Sequence, residues 1–125
     1  MILKDQLYQI VNIEKSGDSS TYILRIPDTH PLFKGHFPES PVLPGVCILQ
    51  IFKELAEMDL ASASPLGYSE IKQCKFLTPV AMNQPATVLV TIALQPEGAS
   101  WNFSASLKSE SILHASLKAV LTTKQ

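Results

Sequence analysis

The sequence has little of what marks nucleic-acid-binding, membrane or exported proteins. Ten Lys and Arg residues are balanced by 11 Asp and Glu residues, which gives a net charge of −1 and a pI near 6.3. Such a chain has no basic field to attract nucleic acid. No apolar run approaches the roughly 18 residues that a membrane-spanning helix needs, and residues 1–6 lack a signal-peptide apolar stretch. We therefore expect a cytoplasmic protein that does not insert into membranes.

Cysteine is also scarce, and its placement indicates no metal site or disulfide framework. Cys47 and Cys74 have no partner at a metal-ligand spacing, and we expect both to be reduced, small and buried. The sequence indicates no metal and no bound cofactor. A length of 125 residues with 46% hydrophobic content suits a single domain over residues 1–125 with its own core.

Hydrophobic patterning predicts one long helix at about residues 45–60. Apolar side chains cover more than half of its circumference, so the helix should be largely enclosed. Alternating apolar residues, separated by turn-forming residues such as those at 15–20, predict strands. The predicted strands lie at 7–13, 21–26, 68–76, 86–94, 101–107 and 113–121. Short turns imply antiparallel pairing, so the expected class is α+β, with a sheet of five to six strands wrapped around one central helix.

The segment at residues 28–45 is predicted to be a loop stiffened by four prolines, and it carries the most informative motif. Gly35-His36-Phe37-Pro38 is followed by Pro41-Val42-Leu43-Pro44-Gly45-Val46, and this order resembles the signature of the 3-hydroxyacyl-[acyl-carrier-protein] dehydratases. Lys75-Phe76-Leu77-Thr78-Pro79-Val80 is similar to that family's strand end. The resemblance covers essentially the whole chain and implies a hot-dog fold.

The resemblance also implies a reaction, the removal of water from a 3-hydroxyacyl thioester to give a trans-2-enoyl thioester. His36 matches the family histidine, and an imidazole suits a general base near neutral pH. Gly45 matches the residue whose backbone N–H polarises the thioester carbonyl. The helix start has no Ser, Thr, Asp or Asn cap, which agrees with that role. Gly45 could equally serve only to let the turn pack closely.

One helix position departs from the family pattern. The family's acidic partner, 14 residues after the histidine, falls here on Gln50, which can contact a hydroxyl group but cannot serve as an acid. Glu54 stands one turn later, where the family commonly has Gln, so the two side chains look exchanged on one helix face. Glu54 could act as the acid, directly or through a water, or could be an ordinary solvated residue.

Apolar residues near the motif should line the acyl pocket: Phe33, Phe37, Val46 and Leu49, together with Gly45. His30 is expected to anchor the loop before Pro31. His114 falls on the polar side of a strand and is expected to be exposed.

The resemblance implies that acyl carrier protein delivers the substrate on its phosphopantetheine, in fatty-acid or specialised polyene-type lipid synthesis. Lys34, Lys72 and Lys75 could contact that acidic carrier. A homodimer or dimer-based oligomer is expected, with His36 near Gln50 of the partner subunit. Two other functions stay open: a non-catalytic acyl-binding or scaffold subunit, and a hot-dog acyl thioesterase. Acyl chain length and pathway cannot be inferred from the sequence.

Overall fold

The computed structural model describes residues 2–35 and 39–124, which form one antiparallel sheet and one long helix. The strand order is β1-β2-β4-β5-β6-β3, with β1 and β3 at the two edges. The expected α+β class with six strands is confirmed. The strands are β1 Gln9–Ser16, β2 Ser19–Ile26, β3 Leu66–Phe76, β4 Ala86–Glu97, β5 Ser100–Ser109 and β6 Ile112–Thr123, and the helices are α1 Leu32–Gly35 and α2 Gly45–Asp59.

The core lies between α2 and the inner face of the sheet. Strand residues alternate between buried and more exposed positions, as in β2, where Tyr22, Leu24 and Ile26 are buried. On α2 the buried apolar residues include Ile51, fully enclosed, and recur at helical spacing. The other buried apolar residues of α2 are Cys47, Ile48, Phe52, Leu55 and Ala56. The predicted, largely enclosed helix is thus confirmed, and it ends one residue earlier than expected.

The strands are longer than their hydrophobic alternation predicts because the hairpin turns are very short. Ser16 pairs with Ser19, so the first turn contains only two residues, and Gly17 supplies its left-handed conformation (φ 59°). In β4 the pairing continues through Pro96, which lies opposite Trp101. Backbone pairing therefore extends beyond the residues that bury side chains.

Three local expectations are wrong. The proline-rich segment was expected to be a loop throughout, but it contains the short helix α1. Cys47 is buried as expected, whereas Cys74 is exposed because it lies on the edge strand β3. His114 is only 6% exposed. The β5–β6 register shifts between Leu107, opposite Ala115, and Lys108, opposite Leu113. His114 is therefore the extra residue of a bulge, which interrupts the two-residue alternation.

Candidate active site

The two sequence segments that carry the resemblance lie against each other in the fold. The Leu43 N–H donates to the Val80 carbonyl at 3.0 Å, and the Met82 N–H donates to the Pro41 carbonyl at 2.8 Å. Val42 and Ala81 form an isolated antiparallel bridge between these bonds. Leu43 and Val80 are both buried. The turn that leads into α2 is therefore attached to the segment that follows β3.

Helix α2 begins without a side-chain cap. Pro44 occupies the N-cap position in an extended conformation, and its carbonyl accepts the N–H groups of Cys47 and Ile48 at 3.0 and 3.2 Å. The Phe76 ring lies on Gly45 so closely that a Cβ there would be 2.8 Å from the ring. Close packing is therefore one reason for glycine at this position. The uncapped helix start is compatible with a backbone donor role, which stays a prediction.

The predicted pocket-lining residues lie in three different environments in the single chain. Phe33 is a core residue at 3% exposure, whereas Val46 is 70% exposed. Leu49 is half-buried, and its carbonyl accepts a hydrogen bond from the Tyr68 hydroxyl at 2.7 Å. His36 and Phe37 lie outside the described residues, so the roles assigned to them stay predictions.

Glu54 is the most heavily hydrogen-bonded side chain of this region. Its Oε1 accepts the Lys4 N–H and the Tyr8 hydroxyl, each at 2.9 Å. Its Oε2 accepts the Leu3 N–H and Gln50 Nε2, each at 2.8 Å. The side chain is only 6% exposed, so the alternative of an ordinary solvated residue is wrong. Its two oxygens accept four donors in all, and the three that come from residues 3–8 attach this segment to α2.

Tyr8 keeps its role as a donor in this network. Its burial, and next the charge of Glu54, raise the pKa of Tyr8 above the ordinary value. The phenol therefore stays protonated at neutral pH and donates to the carboxylate. Sequence patterning placed residues 7 and 8 in the first strand, but β1 begins at Gln9. Leu7 and Tyr8 are instead almost fully buried in the turn before β1.

The predicted exchange of Gln50 and Glu54 places both side chains in direct contact. The half-buried Gln50 amide donates to the Glu54 carboxylate one turn further along α2. Spacing indicated a shared helix face, and this is confirmed. The contribution of residues 3–8 was missed, because hydrogen bonds across about fifty positions leave no periodic signal in a sequence.

The expected anchoring role of His30 is confirmed. Its Nδ1 accepts the Leu32 N–H at 3.0 Å, and its carbonyl accepts the Phe33 N–H at 3.0 Å. These bonds stabilise the start of α1, and the ring contacts Phe33 edge-on, with centroids 6.4 Å apart.

A second polar cluster joins the β5–β6 hairpin to the segment after β3. His114 Nε2 lies 2.5 Å from Ser109 Oγ, and its Nδ1 lies 2.6 Å from the Thr78 carbonyl oxygen. Because that carbonyl can only accept, Nδ1 carries a proton, and in the neutral imidazole Nε2 then accepts the Ser109 hydroxyl. All three residues line a cavity of about 690 Å³. The sequence offered no signal for this contact, since the bulge that turns His114 inward is invisible to strict alternation.

Over residues 2–35 and 39–124, no group of three or more His, Cys, Asp or Glu side chains could hold a metal ion. Within the same ranges, no helix is long and apolar enough to cross a membrane.

Solved structures with this architecture include dehydratases and thioesterases. The dehydratase heterocomplex ApeI:P from Xenorhabdus doucetiae superimposes with a TM-score of 0.72 at 24% identity, covering 91% of this chain and 96% of that one. A variant of the fluoroacetyl-CoA-specific thioesterase FlK, in complex with fluoroacetate and CoA, gives a TM-score of 0.67 at 16% identity over 89% and 95% of the two chains. At these identities the matches establish the hot-dog fold.

Sequence comparisons identify the family, within this fold, to which the chain belongs. Two similar curated proteins are the 3-hydroxyacyl-[acyl-carrier-protein] dehydratases FabZ of Paramagnetospirillum magneticum and of a Sulfurovum species. Each is 25% identical to this chain. The first match covers 91% of this chain and 72% of the relative, and the second covers 93% of this chain and 85% of the relative. The family model described as ApeI-like, ApeI dehydratase, matches residues 12–117. This chain therefore belongs to the ApeI-like family of hot-dog dehydratases.

Proposed function

We propose that this protein eliminates water from 3-hydroxyacyl thioesters carried by acyl carrier protein, in fatty-acid or specialised polyene-type lipid synthesis. The observation that carries the proposal is the start of α2. There the signature turn is hydrogen-bonded to the segment after β3, and the helix begins uncapped under the Phe76 ring. Membership of a dehydratase family supports the same chemistry.

In the proposed reaction His36 takes the proton from the carbon beside the thioester carbonyl. The electron pair of that C–H bond forms the new double bond, and the C3–O bond breaks to release hydroxide. The hydroxide takes up the proton that His36 removed, which regenerates the neutral imidazole and releases water. The Gly45 N–H and the positive end of α2 stabilise the carbonyl oxygen as it gains enolate character. Gln50 contacts the 3-hydroxyl group. The only prosthetic group required is the phosphopantetheine of the carrier.

The proton for the leaving hydroxide is the weak point of this scheme. Gln50 has no acidic proton, and both oxygens of Glu54 accept hydrogen bonds from residues 3–8 and from Gln50 itself. Loss of a general acid lowers a rate by roughly 10²- to 10⁴-fold. This supports a second candidate function, an acyl-binding or scaffold subunit that acts with an active paralogue. It argues against a thioesterase in which Glu54 activates water.

The edge strand β3 supports the proposed dimer. Among the described residues it pairs only with β6, and Ile71 in its middle and Phe76 and Leu77 at its end are about half exposed. Open edges with apolar side chains are usually covered by another chain. We expect a dimer by sedimentation at micromolar concentration, and Ile71→Lys should dissociate it. Ile13→Lys, on the opposite edge strand and equally exposed at 46%, is the matched control. A monomeric wild-type protein would contradict the proposal.

Incubation with 3-hydroxyacyl carrier proteins of several chain lengths, followed by mass spectrometry, tests the function. Loss of water that disappears in His36→Ala supports the dehydratase. Release of free acid identifies a thioesterase, and retained binding with no reaction identifies the scaffold subunit. Lys34, Lys72 and Lys75 are exposed, so carrier binding through them should weaken as salt concentration rises.

A further inference from the structure

Ser109 and His114 form a hydrogen-bonded pair that the proposed dehydration does not use. The Ser109 hydroxyl lies 2.5 Å from His114 Nε2, and His114 Nδ1 lies 2.6 Å from the Thr78 carbonyl oxygen. Because Nδ1 donates to that carbonyl, the neutral imidazole offers its accepting nitrogen to the hydroxyl. A nucleophile, a base within hydrogen-bond distance and a third group that orients the base are the parts of a serine nucleophile site.

The base of this pair is held in place, whereas the nucleophile can be reached from a cavity. His114 is only 6% exposed, and its carbonyl accepts the Leu77 N–H at 2.8 Å. Ser109 is half-buried and lines, with His114 and Thr78, the cavity of about 690 Å³. Ligand pockets commonly have volumes of about 300–1,000 Å³. The cavity therefore has room for a small ligand beside the Ser109 hydroxyl.

The turn beside Ser109 holds a side chain at a position where two other turns hold glycine. The β1–β2 and β4–β5 hairpins each turn on two residues, and the first of these is Gly17 (φ 59°) or Gly98 (φ 62°). The β5–β6 turn has the same length, but Glu110 occupies that position with φ 54°. Glycine adopts this left-handed conformation readily, whereas a side chain disfavours it. Strained residues of this kind cluster at functional sites, and Glu110 lines the same cavity as Ser109.

The residues that line the cavity indicate the class of ligand that it accepts. Val80, Leu89 and Ile112 make part of the wall apolar, and Glu110 contributes a carboxylate. Among the described residues that line the cavity, none is Lys or Arg. Such a wall favours uncharged or cationic groups over anionic ones. The cavity therefore suits a small ligand with an apolar group, and it does not suit the phosphate of a carrier-bound thioester.

We propose that Ser109 and His114 form a second catalytic site, which hydrolyses small carboxylic esters that carry no negative charge. Ser109 is the nucleophile and His114 is the base. The Thr78 carbonyl is a positioning group, because it keeps the proton on Nδ1 and so leaves Nε2 free of one. None of these three residues takes part in the proposed dehydration, so this activity goes beyond that function.

The reaction consumes one water and involves no oxidation. Ser109 Oγ bonds to the ester carbonyl carbon while His114 Nε2 takes the hydroxyl proton. The bond from that carbon to the alcohol oxygen breaks, and the departing alkoxide takes the proton from Nε2, which leaves acyl-Ser109. Water then attacks the acyl carbon and gives a proton to Nε2. The bond to Ser109 Oγ breaks, Oγ takes the proton back, and a carboxylic acid is released.

Hydrolysis of p-nitrophenyl acetate, followed by release of nitrophenolate, tests the activity. Ser109→Ala should lower the rate by at least about tenfold, because it removes the covalent route. The variant loses one hydrogen bond and should stay folded, which circular dichroism checks. Ser111→Ala is the matched control, since Ser111 lies in the same turn and is exposed, and it should keep the wild-type rate. An equal rate in Ser109→Ala and Ser111→Ala would overturn the proposal.

The charge of the substrate gives a second test. Mono-p-nitrophenyl succinate, whose acyl group ends in a carboxylate, should react more slowly than the acetate, and Glu110→Gln should reduce the difference. Equal rates for the two esters in the wild-type protein would overturn the assigned substrate class.

The unmodified protein provides a test that needs no variant. An uncharged alkyl fluorophosphonate should label Ser109 in the folded protein but not in urea, and peptide mass spectrometry locates the label. Label on other residues with Ser109 unmodified would overturn the proposal. Because p-nitrophenyl acetate has no 3-hydroxyl group, its hydrolysis cannot report dehydration. Each activity can therefore fail without the other.

Discussion

Replacement of Glu54 by Gln is the most direct test of the network that fastens residues 3–8 to α2. Glu54 Oε1 and Oε2 each accept one backbone N–H, from Lys4 and Leu3 respectively, and one side-chain donor. An amide can place its single oxygen on only one side. In either orientation its NH₂ group faces the backbone N–H of Leu3 or of Lys4, and two donors cannot bond to each other. The side-chain partner on the same side, Gln50 or Tyr8, can rotate to offer an acceptor, but the backbone N–H cannot. One buried N–H therefore loses its acceptor, and the remaining bonds lose their charge.

These losses set the expected magnitude. An unsatisfied buried donor costs about 1–3 kcal/mol, and a hydrogen bond to a charged group contributes about 1.5–3 kcal/mol. Glu54→Gln should therefore lower the free energy of unfolding by about 3 kcal/mol, which is a fall in Tm on the order of 10 °C. Urea denaturation at fixed protomer concentration measures it.

Glu57→Gln is the matched control, because Glu57 lies on the same helix, three positions after Glu54. Glu57 accepts the Leu66 N–H at 2.7 Å and lies 4.0 Å from the Lys53 ammonium, but it is only half-buried. Its amide can keep the bond to Leu66, so the loss should stay below about 1 kcal/mol. A Glu54→Gln variant as stable as this control would refute the reasoning that the carboxylate is a required acceptor.

Two further predictions concern the partners of Glu54, and a third concerns the contact between Ser109 and His114. Gln50→Glu restores the family's acid beside the Glu54 carboxylate. Because two adjacent carboxylates retain a shared proton, the rate of dehydration should rise at least about tenfold. An unchanged rate would mean that a missing acid does not limit the reaction. The pKa of Tyr8 is raised from 10.0 on folding, so its contribution to stability is complete below pH 10 and is lost above it; unfolding free energy should fall more steeply above pH 10 in the wild type than in Tyr8→Phe. Ser109→Ala removes the donor to His114 and should cost about 1 kcal/mol in urea denaturation, and no change would show that the contact does not stabilise the hairpin.

The elements that the sequence predicted well are those whose signal is local. The enclosed helix at α2 was placed within one residue of its end, because an apolar face repeats at helical spacing over 15 residues. The β1–β2, β4–β5 and β5–β6 pairs followed from alternation and short turns, whereas the β2–β4 and β3–β6 pairs join strands that are not consecutive and were not predicted. The prediction failed for Cys74 and His114, whose burial depends on which strand is at the edge and where a bulge interrupts the ladder.

The site divides in the same way. Sequence reasoning was sufficient for the motif from Gly35 to Val46, the amide in place of the family's acid, and the shared helix face of Gln50 and Glu54, since each depends on residue identity and spacing along one chain segment. The role of Glu54 became visible only in the folded protein. Its four hydrogen bonds include three from residues 3–8, about fifty positions away. Such contacts form only when the N-terminal turn folds against α2, because hydrogen bonding is specific in space and leaves no periodic pattern in sequence.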